Sequence, residues 1–416
     1  MQLFEEWESN VRSYCRTFPC VFSRAKGSYL YDENGKAYLD FFCGAGSLNY
    51  GHNNDFIKHR VADYLLGDNA LHALDMHTSA KRDFIDAFVS RILKPRSLSY
   101  KIQFCGPTGT NAVEAALKIA RRVTGRSNII AFQGGFHGMS LGSLAVTANR
   151  EYRMAAGLPL SGAVFAKFPT ASDWQVSLDE LEGLFGNSHS GVDLPAAIIL
   201  ETLQAEGGVN EAPLKWLQGV RTLCDQFNIL MIVDDIQVGC FRTGSFFSFD
   251  NSGVVPDIVT LSKSISGLGL PMSLTLLKPE LDIWKPGEHT GTFRGNQLAF
   301  VGATAALEFA ASISIEDEVN KKAKYVGEFL RTECAKISKH IAVRGKGLIW
   351  GCDLTDVGGG QLAKLVSSEC FHQGLIIERA GKGDAVLKIM PSLTIDHSDL
   401  QLGCEIIIKS VNGHVK

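Results

Sequence analysis

The sequence predicts an α/β protein, with a large lobe on a mostly parallel sheet and a smaller α+β lobe. Three observations lead there. From about residue 55 to about residue 300, short apolar runs alternate with helical stretches, the pattern of a parallel sheet covered by helices. Several of those runs end in residues that carry chemistry, which is where such a sheet places its sites. Beyond residue 300, an Ala-rich helix gives way to short strands broken by glycines. At 416 residues the chain exceeds one typical domain, and no Pro/Ser-rich linker separates its lobes. We divide it into residues 1–54, the first part of the smaller lobe; residues 55–300, the large lobe; and residues 301–416, the rest of the smaller lobe.

In chain order, residues 27–40 alternate on either side of Asn34-Gly35, which predicts a hairpin. Large-lobe strands are expected at 102–105, 128–132, 196–201, 229–234, 258–261 and 273–277. The helix after the first of these has Ala112, Ala115, Ala116, Ile119 and Ala120 at helical spacing, so one face is buried. A helix at 300–311 and strands at 348–353 and 386–390 belong to the smaller lobe.

A formal net charge of −3, with 45% hydrophobic and 20% charged residues, fits a globular protein and gives no attraction to nucleic acid or anionic membrane. The N-terminus is acidic where a secretory signal needs basic residues, and no run is long and apolar enough to span a bilayer. Ten scattered cysteines, with no Cys-x-x-Cys pair and no His cluster, read as free thiols and not as a metal site. A cytoplasmic location is therefore expected.

Four runs carry chemistry. The apolar strand at 229–234 ends in Asp234-Asp235-Ile236-Gln237. A second apolar run ends in Lys263, followed by a Ser- and Gly-containing loop. A buried acid and an amine of lowered pKa can hold an aldehyde cofactor as an electron sink; a lysine at a sheet edge beside a solvated acid pair is the plainer reading. Alternation puts Asp234 and Ile236 on one face and turns Asp235 away, toward a structural ion pair. In the third run, Thr108-Gly109-Thr110 opens a helix whose N-terminus suits a phosphate, or is simply capped. In the fourth, Phe136 and His137 lie between glycines, where an aromatic can cover a planar ring or pack in the core.

Together these runs, with Arg242-Thr243-Gly244 and residues 291–296, resemble the class III aminotransferases, pyridoxal phosphate enzymes of fold type I; the likeness spans most of the chain in the family's order. The resemblance implies a seven-stranded large-lobe sheet and a homodimer, or a tetramer built from it, with shared sites. It makes Lys263 the Schiff-base lysine and Asp234 the partner of the pyridinium nitrogen. Ile236 and Phe136 become ring contacts, with His137 beside them, and Gln237 neighbours the phenolic oxygen. Thr108, Gly109 and Thr110 form the phosphate cradle, and Thr292 reaches the neighbouring subunit's phosphate. Glu206 matches a gate glutamate that pairs with a C-terminal cation, here Lys388; Ala45 and Met139 are further candidate substrate contacts.

Three departures mark the chain. Lys388 replaces the usual arginine, so a point charge stands in for a two-pronged fork. Met139 stands where ornithine and γ-aminobutyrate enzymes carry an arginine. Phe241 stands where relatives have glycine, which matters if the backbone needs positive φ. The pattern is most similar to the diaminobutyrate–2-oxoglutarate subgroup. The expected reaction passes the amino group of L-glutamate to the terminal carbon of L-aspartate 4-semialdehyde. The alternatives are an ω-aminotransferase with another substrate, a semialdehyde aminomutase, or an idle cofactor-binding sensor.

Overall fold

The computed structural model describes residues 2–415. Its central sheet has seven strands: β1 (Lys101–Phe104), β2 (Ile129–Phe132), β3 (Ala163–Ala166), β4 (Ala197–Leu200), β5 (Leu230–Asp234), β6 (Ile258–Leu261) and β7 (Leu274–Leu277). They run in the order β1-β7-β6-β5-β4-β2-β3. All neighbours are parallel except β7, which is antiparallel to both β6 and β1. Strands β2, β4 and β6 are buried along their whole length, which explains why they read as unbroken apolar runs. The expected strands are all present. Strand β3 was not expected: it is a short, half-buried edge run, Ala-Val-Phe-Ala166, with little to set it apart from a loop.

A helix over Gly109–Thr124 follows β1 and buries Ala112, Ala115, Ala116, Ile119 and Ala120 as the spacing predicts. The helix over Gln297–Ser312 packs against Asp55–Leu66 and Ser79–Phe88. Toward the C-terminus, an antiparallel sheet runs in the order Ala342–Lys346, Ile349–Asp353, Val386–Ile389, Glu378–Ala380. The predicted hairpin is present: Tyr29–Asp32 pairs with Ala37–Asp40, and Asp32 Oδ1 accepts from the amides of Asn34 and Lys36 at 2.9 Å. Ala37–Asp40 then pairs in parallel with Leu375–Ile376, so the N-terminal strands join C-terminal ones. One continuous core links Leu39 and Phe41 with Phe246, Ile389 and Leu400.

Arg242 is fully buried and ties the two ends of the chain together, donating to Asn49 Oδ1 at 2.6 Å and to the Leu348 carbonyl at 2.8 Å. Phe241 has φ +71 and is buried, its ring edge-on to Phe246 at 5.1 Å. Positive φ at an aromatic residue is strained, and the packing of the ring holds it there. Among the described residues every cysteine is a free thiol, and no single helix is long and apolar enough to cross a membrane.

Candidate active site

The strand ends of the large sheet converge on Asp234. It closes β5, is 4% exposed, and receives three donors. His137 Nδ1 lies 2.7 Å from Asp234 Oδ2, while Thr260 Oγ1 (3.0 Å) and the Ile236 amide (3.2 Å) donate to Oδ1. Thr260 is its register neighbour on β6. Burial disfavours charge on His137, but Asp234 beside it and Glu201 behind it raise its pKa above the ordinary imidazole value. Glu201 itself is pushed up to about 7 by burial, and its carboxylate accepts from the amide of Phe136 at 3.0 Å. The half-buried Phe136 meets Tyr152 edge-on.

Asp235 points the other way, as alternation predicts, but it forms no ion pair. It accepts from the Ser248 amide at 3.1 Å, while its Oδ1 is buried without a partner. Burial pushes it up to about 7.

Opposite Asp234 stands the N-terminus of Gly109–Thr124. Thr108 and Asn111 close it as a reciprocal cap. Gly109 is pressed against Ile236: a Cβ there would lie 2.9 Å from Ile236 Cδ1. Thr110 Oγ1 meets Ser140 Oγ at 2.7 Å and also contacts Ser143 Oγ, and Ser140 bonds Glu114. A Cβ at Gly138 (φ +123) would lie 2.5 Å from Thr110 Oγ1, so only glycine lets this loop approach so closely.

Lys263 begins a short 3-10 turn, Lys263–Ser266, directly after β6. Its φ is +49, in the left-handed region that a non-glycine residue rarely adopts. Burial brings its pKa below the usual lysine range, and the nearby Lys388 adds to this against the pull of Glu206, Glu378 and Asp234.

A charged cluster lies beyond Lys263. Lys388 is fully buried, with Nζ 2.5 Å from Glu206 Oε1 and 2.8 Å from Glu378 Oε2. Burial opposes its charge, yet the two carboxylates raise its pKa far above the ordinary value. Gln237 Nε2 bridges Glu206 Oε1 (3.0 Å) and the Ala45 carbonyl (2.9 Å). Met139 is 50% exposed next to Gly138, and Thr292 sits on an exposed turn beside Phe293. The structure thus brings Asp234 together with His137 and Ile236, and Glu206 together with Gln237, Ala45 and Lys388. It leaves Met139 and Thr292 on the surface of the chain.

The aminotransferase class-III family profile matches residues 11–411. The chain belongs to the class III aminotransferases. The aminotransferase is 52% identical over 414 residues to a diaminobutyrate–2-oxoglutarate transaminase of Bordetella parapertussis, covering 99% of this chain and 95% of that one. It is 50% identical over 419 residues to a transaminase of the same name from Streptomyces coelicolor, covering 99% and 97%. Its fold matches the crystal structure of an S-selective transaminase from Bacillus megaterium with a TM-score of 0.89, at 22% identity over 99% and 97% of the chains. Its cofactor is pyridoxal 5′-phosphate.

The residues present fit that group. The cradle at Thr108–Thr110 opens a helix N-terminus, carries two hydroxyls, and has a glycine too close to Ile236 to carry a side chain. The neighbouring carboxylate of Asp234 is buried and positioned by three donors, which leaves it acceptor capacity for a ring N–H.

Sequence reasoning missed Glu201, Thr260, Ser140 and Glu378. Each reaches the site through a tertiary partner and not through a motif. Glu378 sits on a three-residue strand with no periodicity to read.

Proposed function

We propose that this aminotransferase moves the amino group of L-glutamate to the terminal aldehyde of L-aspartate 4-semialdehyde, giving 2-oxoglutarate and L-2,4-diaminobutyrate. The observation that carries the reading is its identity, at about half of all positions over nearly the whole length, with enzymes named for that reaction. The site geometry agrees with it. When bound, pyridoxal phosphate supplies an electron sink beside the carbon that loses or gains a proton. Lys263 Nζ, its pKa lowered by burial, would hold the cofactor and move that proton. Asp234, positioned by His137 and Thr260, would keep the ring nitrogen protonated. Thr108, Gly109 and Thr110 would hold the phosphate, Ile236 and Phe136 would contact the ring, and Gln237 would contact its phenolic oxygen. Lys388 grips a substrate carboxylate when Glu206 swings away, so one pocket serves both glutamate and the ω-amine. Met139 and Ala45 line the outer pocket. Thr292, exposed here, completes the site of a second copy in a cytoplasmic homodimer.

The test is steady-state assay with L-glutamate and aspartate semialdehyde, with the product identified by mass spectrometry. Parallel double-reciprocal lines and diaminobutyrate as product are expected. Turnover of the semialdehyde without glutamate would favour an aminomutase instead.

A further inference from the structure

Lys388 is a strange residue to find fully buried at a site that must open. It projects from Val386–Ile389, between two antiparallel neighbours. On one side its register partner is Gly351, which brings no side chain. A Cβ there would lie 2.9 Å from Val386 Cγ1, so that register position cannot supply a counter-ion. On the other side its register partner is Glu378, so the two side chains share a face. Glu378 Oε2 reaches Lys388 Nζ at 2.8 Å, is buried, and has no hydrogen bond beyond this ionic contact.

The two carboxylates on Lys388 are not equivalent. Glu378 is fixed by the ladder of its sheet and its side chain is 12% exposed. Glu206 lies in the turn between two short strands, followed by Gly207 and Gly208, and its side chain is 27% exposed. Its backbone is anchored, since the Gly381 amide donates to its carbonyl at 2.9 Å, but its side chain is the more exposed of the two. If Glu206 left a lysine with no other partner, it would strand an uncompensated buried ammonium, which is strongly unfavourable. A guanidinium can spread its donors over several partners, but an ammonium is a single point.

From this geometry we infer that Glu378 is the permanent counter-ion of Lys388, a positioning residue that lets a lysine serve a gate when Glu206 moves aside. The inference rests on the proposed role of Lys388 in holding a substrate carboxylate. Glu378 keeps the ammonium in place, Glu206 or the incoming carboxylate occupies its second side, and the cluster's net charge is the same before and after the exchange. Residue 378 must be acidic because residue 388 is lysine.

The experiment measures glutarate, an unreactive dicarboxylate, binding to the cofactor-loaded enzyme by calorimetry. KM for glutamate and for diaminobutyrate is measured in parallel. Glu378→Gln should weaken glutarate about tenfold and raise KM for glutamate several times more than KM for diaminobutyrate, with the visible cofactor band unchanged. Adding Lys388→Arg should restore most of the loss. Glutarate affinity within twofold of the parent would overturn the inference, and so would a failed rescue. Should Glu378→Gln not fold, Glu378→Asp, one methylene short, is the variant to measure; undiminished glutarate binding there overturns the inference equally. Lys388→Met separates the two claims. If it leaves glutarate binding intact, the carboxylate role of Lys388 fails; if it abolishes binding while Glu378→Gln does nothing, only the role of Glu378 fails.

Discussion

His137 Nδ1 sits 2.7 Å from Asp234 Oδ2, with both side chains almost wholly buried. The contact joins the loop after β2 to the end of β5, and it makes the buried acid there part of a pair. Because Asp234 and Glu201 raise the pKa of His137 against the effect of burial, the imidazole binds its proton more tightly folded than unfolded.

The stabilisation from this pair is therefore fully present below the ordinary imidazole pKa of 6.5 and fades as pH rises through the raised folded value. His137→Gln should lower stability by about 3 kcal/mol at pH 6, as expected for a broken buried pair, and by less at high pH. Denaturant melts of both proteins across pH 6 to 9 check this. An offset that does not change with pH would contradict it.

Lys263→Ala should reduce turnover at least about 10⁴-fold, since on the proposed mechanism it removes both the covalent anchor and the proton carrier. The cofactor should still enter the cradle but lose its lysine-linked visible band. Ordinary activity in this variant would remove Lys263 from the mechanism.

Asp235 carries the same sign of pH dependence as His137, at a lower starting pH. Its pKa is raised to about 7 by burial, so the folded state favours the protonated carboxyl. It costs stability as pH rises from the unfolded value near 4 through 7. Asp235→Asn keeps an acceptor for the Ser248 amide and removes the charge. It should melt higher than the parent at pH 8, by on the order of a few kcal/mol, with little gain at pH 5. A variant no more stable at pH 8 would mean that Asp235 gains a partner when ionised.

Phe241 tests whether an odd residue shapes the pocket or the core. Its ring packs on Phe246, so Phe241→Ala should cost about 3–5 kcal/mol, while kcat/KM for diaminobutyrate stays within about twofold. A change in substrate preference without loss of stability would place the residue in the pocket instead.

Much of this was legible in the chain. Unbroken apolar runs such as β4 and β6 could be read because both of their faces are buried, and Asp234, Ile236 and Lys263 because strand ends are where such a sheet is open. The hairpin at Asn34-Gly35 was readable from its turn residues alone. Strand β3 was not, since a half-buried edge strand shows neither alternation nor an apolar run. Asp235 was expected to be paired by charge; instead the chain buries it against a backbone amide, which no local pattern encodes. Glu378 escaped because its meaning depends on its register with Lys388, a cross-strand relationship that spacing does not reveal.

The most direct test is to record the visible spectrum of the cofactor-loaded enzyme while adding L-2,4-diaminobutyrate, L-glutamate, L-ornithine or γ-aminobutyrate, each alone. Diaminobutyrate and glutamate should discharge the lysine-linked band, and ornithine and γ-aminobutyrate should leave it nearly unchanged. A band discharged by ornithine or γ-aminobutyrate but not by diaminobutyrate would contradict the proposed substrate. A band that no amine discharges would contradict an aminotransferase mechanism built on Lys263.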